Sequence, residues 1–394
     1  MTLFRKLLLL AFLQLLYNQS SAQGRLVSVV RQQTLTLTQQ VDSVIAEFGL
    51  NIRKQDLSRA VSLLKYVGRD VHCVALSYRT QDPSGREVLA SGLFSYPEKG
   101  PFRGAVEMLP YSRQKSMCGS VRLYSPEAMV SVLGYVVLVP DTIGYGASGD
   151  LDIAYHLCEN TALVAAHFRE AVQEYLATVL GRKLPRKTTL FGYSLGASGA
   201  LALAYYYAEH PQCDVKVQAL CLGGGAYNPS IALDYSINRG EMNYLLYPAF
   251  VRSLNTWNHA GLNPSRLFCG LVLRDWERVS DGSLNALQMV KTYGADLHAY
   301  LHPDFFSGEG NSDIRRLKEC LSDIAVPSPG KCPLPRGTKI VVRHSVADDI
   351  VPVACSDTLV NRLRRFGLLY FRSPSGTHHE TAVRSFLDLA LLLL

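Results

Sequence analysis

Thr188-Thr189-Leu190-Phe191-Gly192-Tyr193-Ser194-Leu195-Gly196-Ala197 is the stretch whose reading decides the fold. Thr188 to Phe191 is β-branched and apolar, as a buried strand requires, and Ala197 to Glu209 is rich in helix formers. Between them stands G-x-S-x-G. Alone the pentapeptide is weak, since chance matches arise in roughly one of several chains of this length. Between a strand and a helix it means more. The chain must reverse within a few residues, and Gly192 and Gly196 are required because side chains there would clash where the two elements meet. The Ser194 hydroxyl then projects from the carboxyl end of a sheet at a helix N-terminus, where developing negative charge is stabilised. Such a serine reads as a nucleophile; the bland alternative is a glycine-rich packing turn.

Outward from this turn, the pattern alternates. Val74–Thr80, Glu87–Tyr96, Gly104–Leu109, Tyr135–Val139, Val215–Leu222, Lys339–Arg343 and Leu368–Phe371 read as strands. Thr34–Gly49, Cys158–Leu180, Val353–Arg365 and Glu380–Leu393 read as helices. Strands apolar on both faces alternating with helices predict an α/β fold, a mostly parallel sheet wrapped by helices. The alternation stops between about residues 226 and 336, a stretch rich in Tyr, Asn, Pro and Leu with helical patterning. It reads as a helical lid inserted in a core of residues 23–225 and 337–394. Tyr244, Leu245, Tyr247, Phe250 and Trp257 are its candidates for excluding water, and Tyr247 and Phe250, with Tyr193, for contacting substrate.

A nucleophilic serine needs a base, and the base an orienting acid. The loop after strand 339–343 carries Asp348-Asp349-Ile350-Val351-Pro352, and D-x-x-V-P favours Asp348 as the acid, leaving Asp349 as a cap for the helix from Val353. The loop before the final helix carries Gly376-Thr377-His378-His379-Glu380, and G-x-H-x-E favours His378 over His379 as the base. The backbone N–H of Leu195 and one from the loop after Leu109 should hold the oxyanion. Pro110 has no N–H, so Tyr111 or Ser112 must donate, with Tyr111 preferred.

These stretches, with Val139-Pro140-Asp141-Thr142-Ile143-Gly144-Tyr145-Gly146 and Gly223-Gly224-Gly225-Ala226-Tyr227, resemble the secreted lipase/esterase branch of the α/β-hydrolases, which includes the fungal lipase A type and bacterial secreted serine hydrolases. The resemblance runs from about residue 74 to the end. It implies a serine hydrolase acting on carboxylic esters, with a lid after the sixth strand. Relatives commonly carry His-Gly in the loop after the third strand, where this chain has Tyr111-Ser112. A serine peptidase, or a weakly active binding protein retaining the fold, is the alternative.

Composition bounds the rest. The 394 residues are 48% hydrophobic and 19% charged, which excludes wholesale disorder. The net charge of +7 contains no run of five cations, so no nucleic-acid partner is expected. The partner expected is a small-molecule or lipid ester, with peripheral contact where the ester is a lipid. Arg5-Lys6, the apolar stretch Leu7–Leu16 and Ser20-Ser21-Ala22 read as a signal peptide of residues 1–22, and so as a secreted or periplasmic protein. Of nine cysteines, Cys320 and Cys332 flank a loop suited to a disulfide. Cysteine spacings match no zinc cluster, and His378-His379-Glu380 lacks the second histidine of H-E-x-x-H, so no metal or other cofactor is expected. Gly144-Tyr145-Gly146-Ala147-Ser148-Gly149 spells a dinucleotide fingerprint, but no helix opens at its second glycine, and a structural loop near the site is the expectation.

Overall fold

Nine strands form one sheet: β1 (Leu26–Leu35), β2 (Val71–Gln81), β3 (Glu87–Pro97), β4 (Ala105–Leu109), β5 (Val136–Pro140), β6 (Lys187–Tyr193), β7 (Lys216–Gly223), β8 (Lys339–Ser345) and β9 (Leu369–Ser373). Their order is β1-β2-β3-β5-β4-β6-β7-β8-β9. The pairs from β1 to β5 through β3 are antiparallel, and every pair from β5 to β9 is parallel. This is a computed structural model, and it describes residues 24–40, 42, 69–122, 126–242, 246–308, 310–327, 334 and 337–394. The leader expected over residues 1–22 lies outside them. The helix expected over 34–49 is entered only at Leu37, because β1 runs through Leu35; residues 41 and 43–49 lie outside the described residues.

The longer helices are α1 (Cys158–Leu180), α2 (Leu195–Glu209), α3 (Pro229–Arg239), α4 (Tyr247–Asn258), α5 (Ala286–Tyr293), α6 (Ser312–Asp323), α7 (Ala354–Leu363) and α8 (His378–Leu393). The parallel strands β4 to β8 are buried on both faces, while the edge strand β9 is largely exposed. Leu190, Leu220, Leu222, Ile340 and Val342 pack with Ala162 and Ala165 of α1, Ala200 and Leu203 of α2 and Leu359 of α7. Their neighbours Val106, Met108, Phe191, Cys221 and Val341 turn the other way, onto Ala382, Leu389 and Leu393 of α8. This period-two alternation is why these strands read as continuous apolar runs. One charge sits among them. Glu107 of β4 is buried and accepts from Arg169 of α1 (2.7 Å) and from the Tyr207 phenol of α2 (2.7 Å). An unpaired carboxylate there would be prohibitively costly, so these bonds lock β4 to both helices.

Between β7 and β8 the chain leaves the sheet and forms α3 to α6 with short helical turns between them. Asparagines start these helices: Asn228, Asn285 and Asn311 accept backbone N–H groups at the starts of α3, α5 and α6. The insertion has its own core, including Leu233, Tyr247, Phe250, Leu254, Phe268, Leu297, Tyr300 and Leu317. Tyr145, Ile153, Tyr155 and the partly buried Leu195 from the sheet side join the same cluster. The insertion departs from the carboxyl end of β7, the end at which Ser194 stands, and packs beside it. The eight described cysteines are free thiols; Cys332, and with it a Cys320–Cys332 disulfide, lies outside the described residues. No helix among the described residues is long and apolar enough to cross a membrane.

Candidate active site

Ser194 joins β6 to α2 with φ +56° and ψ −126°, a conformation that L residues seldom adopt. Packing holds it there. A Cβ on Gly192 would strike the Gly196 carbonyl, and one on Gly196 would strike the carbonyl of Leu109. Both glycines of the pentapeptide are therefore required by backbone approach, and the second sets the start of α2 against the end of β4. The Ser194 N–H donates to the Gly223 carbonyl (2.8 Å), while the amides of Leu195 and Gly196, in the first turn of α2, have no intrahelical carbonyl to bond.

His378 stands at the first position of α8. Thr377 caps that helix, with Glu380 completing a capping box. The His378 side chain lies between the two groups expected to flank it. Nδ1 is 2.7 Å from Asp348 Oδ2 and Nε2 is 2.9 Å from Ser194 Oγ. A carboxylate only accepts, so Nδ1 carries the proton and Nε2 is left to accept from the serine hydroxyl. Asp348 is buried, and its Oδ1 accepts the N–H groups of Ile350 (3.0 Å) and Val351 (2.8 Å). Burial alone would raise its carboxyl pKa. The charge of His378 and hydrogen bonds from His344 and His378 outweigh burial and hold the pKa well below the ordinary carboxylate range. The acid is thus ionised wherever the imidazole needs it.

The structure separates the paired alternatives. Asp349 does not cap α7; its Oδ1 accepts the His378 backbone N–H (2.9 Å), tying the acid's loop to the first turn of α8. His379 is exposed, whereas His378 beside it is buried. His344 escaped the sequence reading. It is fully buried, with Nδ1 2.7 Å from Ser356 Oγ, its Nε2–H donating to the Val351 carbonyl (2.9 Å), and Nε2 3.4 Å from Asp348 Oδ2. A histidine near the carboxyl end of β8, four residues before the acid, was the available signal.

Tyr111 sits in the loop after β4, close to the start of α2. A cavity of about 10 Å³, room for about one water, is lined by Pro110, Tyr111, Arg113, Thr142 and Leu195 among others. The structure thus brings the two predicted oxyanion residues to one small space. The Gly144–Gly149 segment forms a tight turn beside that space, and a Cβ on Gly146 would strike Ser91 and Asp141, so these glycines serve backbone packing.

Three expectations are corrected. Tyr193, expected at the substrate, is buried against α8: its phenol donates to the His378 carbonyl (2.7 Å), and its ring lies 4.8 Å from the imidazole, because alternation along β6 turns it to the α8 face. Tyr247 and Phe250 are 1% and 2% exposed and belong to the insertion's core, with Phe250 edge-on to Tyr155 at 4.9 Å. Neither lines an open acyl cavity. Trp257 packs toward the α1 side of the sheet, while Tyr244 and Leu245 lie outside the described residues. A cavity of about 610 Å³ lies elsewhere, between α1, α2 and residues 323–327, and does not include Ser194, Asp348 or His378. Among the described residues, no three His, Cys, Asp or Glu side chains gather as a metal ion would require.

No protein-family model and no curated protein matches the sequence. Solved structures do match in shape. A candidate hydrolase of Legionella pneumophila is similar with a TM-score of 0.74 at 16% identity, over 94% of this chain and 97% of that one. The rice cell wall degrading esterase LipA of Xanthomonas oryzae gives 0.71 at 18%, over 94% and 97%. Candida antarctica lipase A in its closed state gives 0.60 at 14%, over 92% and 80%. At such identities the likeness is one of fold, and the fold is that of the α/β-hydrolases.

Proposed function

We propose that this chain is an exported serine hydrolase that cleaves carboxylic esters through an acyl-enzyme, with the insertion between β7 and β8 as its lid. The observation that carries the reading is the line Ser194 Oγ–His378 Nε2–His378 Nδ1–Asp348 Oδ2, with steps of 2.9 and 2.7 Å on either side of one imidazole. Ser194 Oγ attacks the ester carbonyl carbon as its proton passes to His378 Nε2. Asp348 holds the ring and stabilises the imidazolium. The carbonyl oxygen, now anionic, is held by the Leu195 N–H and by an N–H of the loop at Tyr111. The carbon–oxygen bond to the alcohol breaks, and the alcohol leaves with the proton from Nε2. Water then gives a proton to Nε2 and adds to the acyl carbon, and collapse frees the acid and restores Ser194. The esterase and lipase among the structures similar to this one support ester over amide chemistry. Export rests on the charged, apolar and small-residue order of residues 5–22.

Labelling with an alkyl fluorophosphonate followed by peptide mapping tests the reading. Ser194 should carry the label, and Ser194→Ala should lose it together with about 10⁴-fold or more of kcat on a short acyl ester while melting like the parent. Ester turnover within tenfold of the parent would sink it, and turnover of a peptide amide in preference to any ester would replace it with a peptidase.

A further inference from the structure

An oxyanion donor works only if its N–H is held near its working position to within about half an ångström. The segment 110–113, which carries the second donor in the reading above, is an irregular loop beyond the end of β4 and has no ladder to fix it. On the sheet side, Ser112 Oγ meets the Tyr155 phenol at 2.7 Å and the Tyr145 phenol donates to the Arg113 carbonyl at 3.1 Å. On the other side the next residue reaches out to the insertion. Gln114 Nε2 donates to the Ser283 carbonyl (2.8 Å) and to Gln288 Oε1 (2.9 Å), and Asn285 Nδ2 approaches Gln114 Oε1 at 3.4 Å. The Lys115 N–H adds a bond to the Gly282 carbonyl at 3.1 Å.

The groups that Gln114 meets are not loose surface side chains. Asn285 and Gln288 form the capping box that opens α5: Asn285 Oδ1 accepts the Gln288 N–H at 2.9 Å, and Gln288 Oε1 accepts the Asn285 N–H at 3.0 Å. Gln288 Oε1 is therefore shared between the helix start and Gln114. The turn before it is wedged against the same loops, since a Cβ on Gly282 would strike Ile153 and lie in contact with the Lys115 stem.

We propose that Gln114 is a positioning residue that fastens the oxyanion loop to the α5 capping box, so that the insertion, and not the sheet alone, sets the second oxyanion donor. The proposal rests on the ester-hydrolase reading. The two contributions to catalysis are then separable: Leu195 N–H is fixed by the turn at Ser194, and the loop N–H is fixed across the seam between insertion and sheet. Loss of the fastening should weaken the hold on the tetrahedral state and leave ground-state binding of a short ester nearly untouched.

The test compares the parent, Gln114→Ala, Gln288→Ala and Gln288→Glu on a short acyl ester and with phenylboronic acid, which forms a tetrahedral adduct with an activated serine and places an oxygen where the oxyanion forms. Gln288→Glu keeps the shared acceptor; Gln288→Ala removes it. Gln114→Ala and Gln288→Ala should each lower kcat about tenfold, equal to ~1.4 kcal/mol, with KM within twofold and the boronate Ki rising in step with the fall in kcat. Gln288→Glu should stay near the parent, and the double alanine variant should be no worse than the worse single one. A folded Gln114→Ala with the parent's kcat and boronate Ki overturns the proposal. So does an equal loss in Gln288→Glu, or a raised KM with kcat kept, which would make Gln114 a substrate contact. Should Gln114→Ala not fold, the Gln288 pair decides alone. A parent protein that neither takes a fluorophosphonate label nor turns over ester overturns the functional reading, and this proposal with it.

Discussion

Tyr193 is the residue at which side-chain direction, not type, decides the role. As the second residue of G-x-S-x-G it stands next to Ser194, which invited a substrate-binding reading. In the structure its ring supports the imidazole and its phenol donates to the His378 carbonyl. Tyr193→Phe should therefore cost about 1 kcal/mol of stability and lower kcat several-fold with KM unchanged, read by chemical denaturation and ester kinetics. A rise in KM alone would return the phenol to the substrate. What the sequence made legible is placement: Gly192 and Gly196 from close approach, Ser194 from the turn, and Asp348 and His378 from their loops. Asp349 and His344 were not legible as supports, because their bonds to the α8 backbone and to Ser356 of α7 depend on how the loop after β8 folds back, which residue spacing does not show.

At the level of elements, buried strands and long helices were readable because burial on both faces, or on one helical stripe, imposes a period. Cys158–Leu180 emerged with the boundaries expected. β1 was missed because Val27, Val29 and Val30 are exposed on an edge and Arg31-Gln32-Gln33 carry no alternation that burial would enforce. The insertion was readable as helical, but which of its faces turned inward was not, since its own core competes with the site for its aromatic residues. Phe250 follows the core. Phe250→Ala should cost about 3–5 kcal/mol of stability without changing the preference between short and long acyl esters. A shifted chain-length profile at parental stability would instead put the ring against the substrate. The length of the insertion and its shared cluster with Tyr145, Tyr155 and Leu195 argue for a single cooperative melt, and that same experiment reads it.

For the whole molecule, pH acts on stability through histidines that folding removes from water. Burial pushes the His156 imidazole from 6.5 down to about 4, and its Nε2–H donates to the Ala226 carbonyl at 2.8 Å, where the insertion begins. As pH falls, the unfolded chain takes up a proton on this ring that the folded chain refuses until the lower value. Its contribution is complete above the window and is lost on acidification through it, up to roughly 3 kcal/mol at the acid end. Burial, reinforced by the Arg25 guanidinium, sets His167 at about 4 as well. His156→Asn suits the positive φ of 61° at this position and removes one of the two groups. Its denaturation midpoint should fall less than the parent's between pH 7 and pH 4.5; equal falls would show that His156 does not carry the effect.

The distance along the chain between Ser194 and His378, 184 residues, also has a meaning in time. The serine, its turn and the start of α2 are made first, and the imidazole arrives only with α8, whose Leu389 and Leu393 belong to the core. A growing chain therefore carries its serine without this imidazole while the next 184 residues are added. On the reading proposed above, reactivity waits for α8 to dock, so acquisition of the fluorophosphonate label during refolding times that docking.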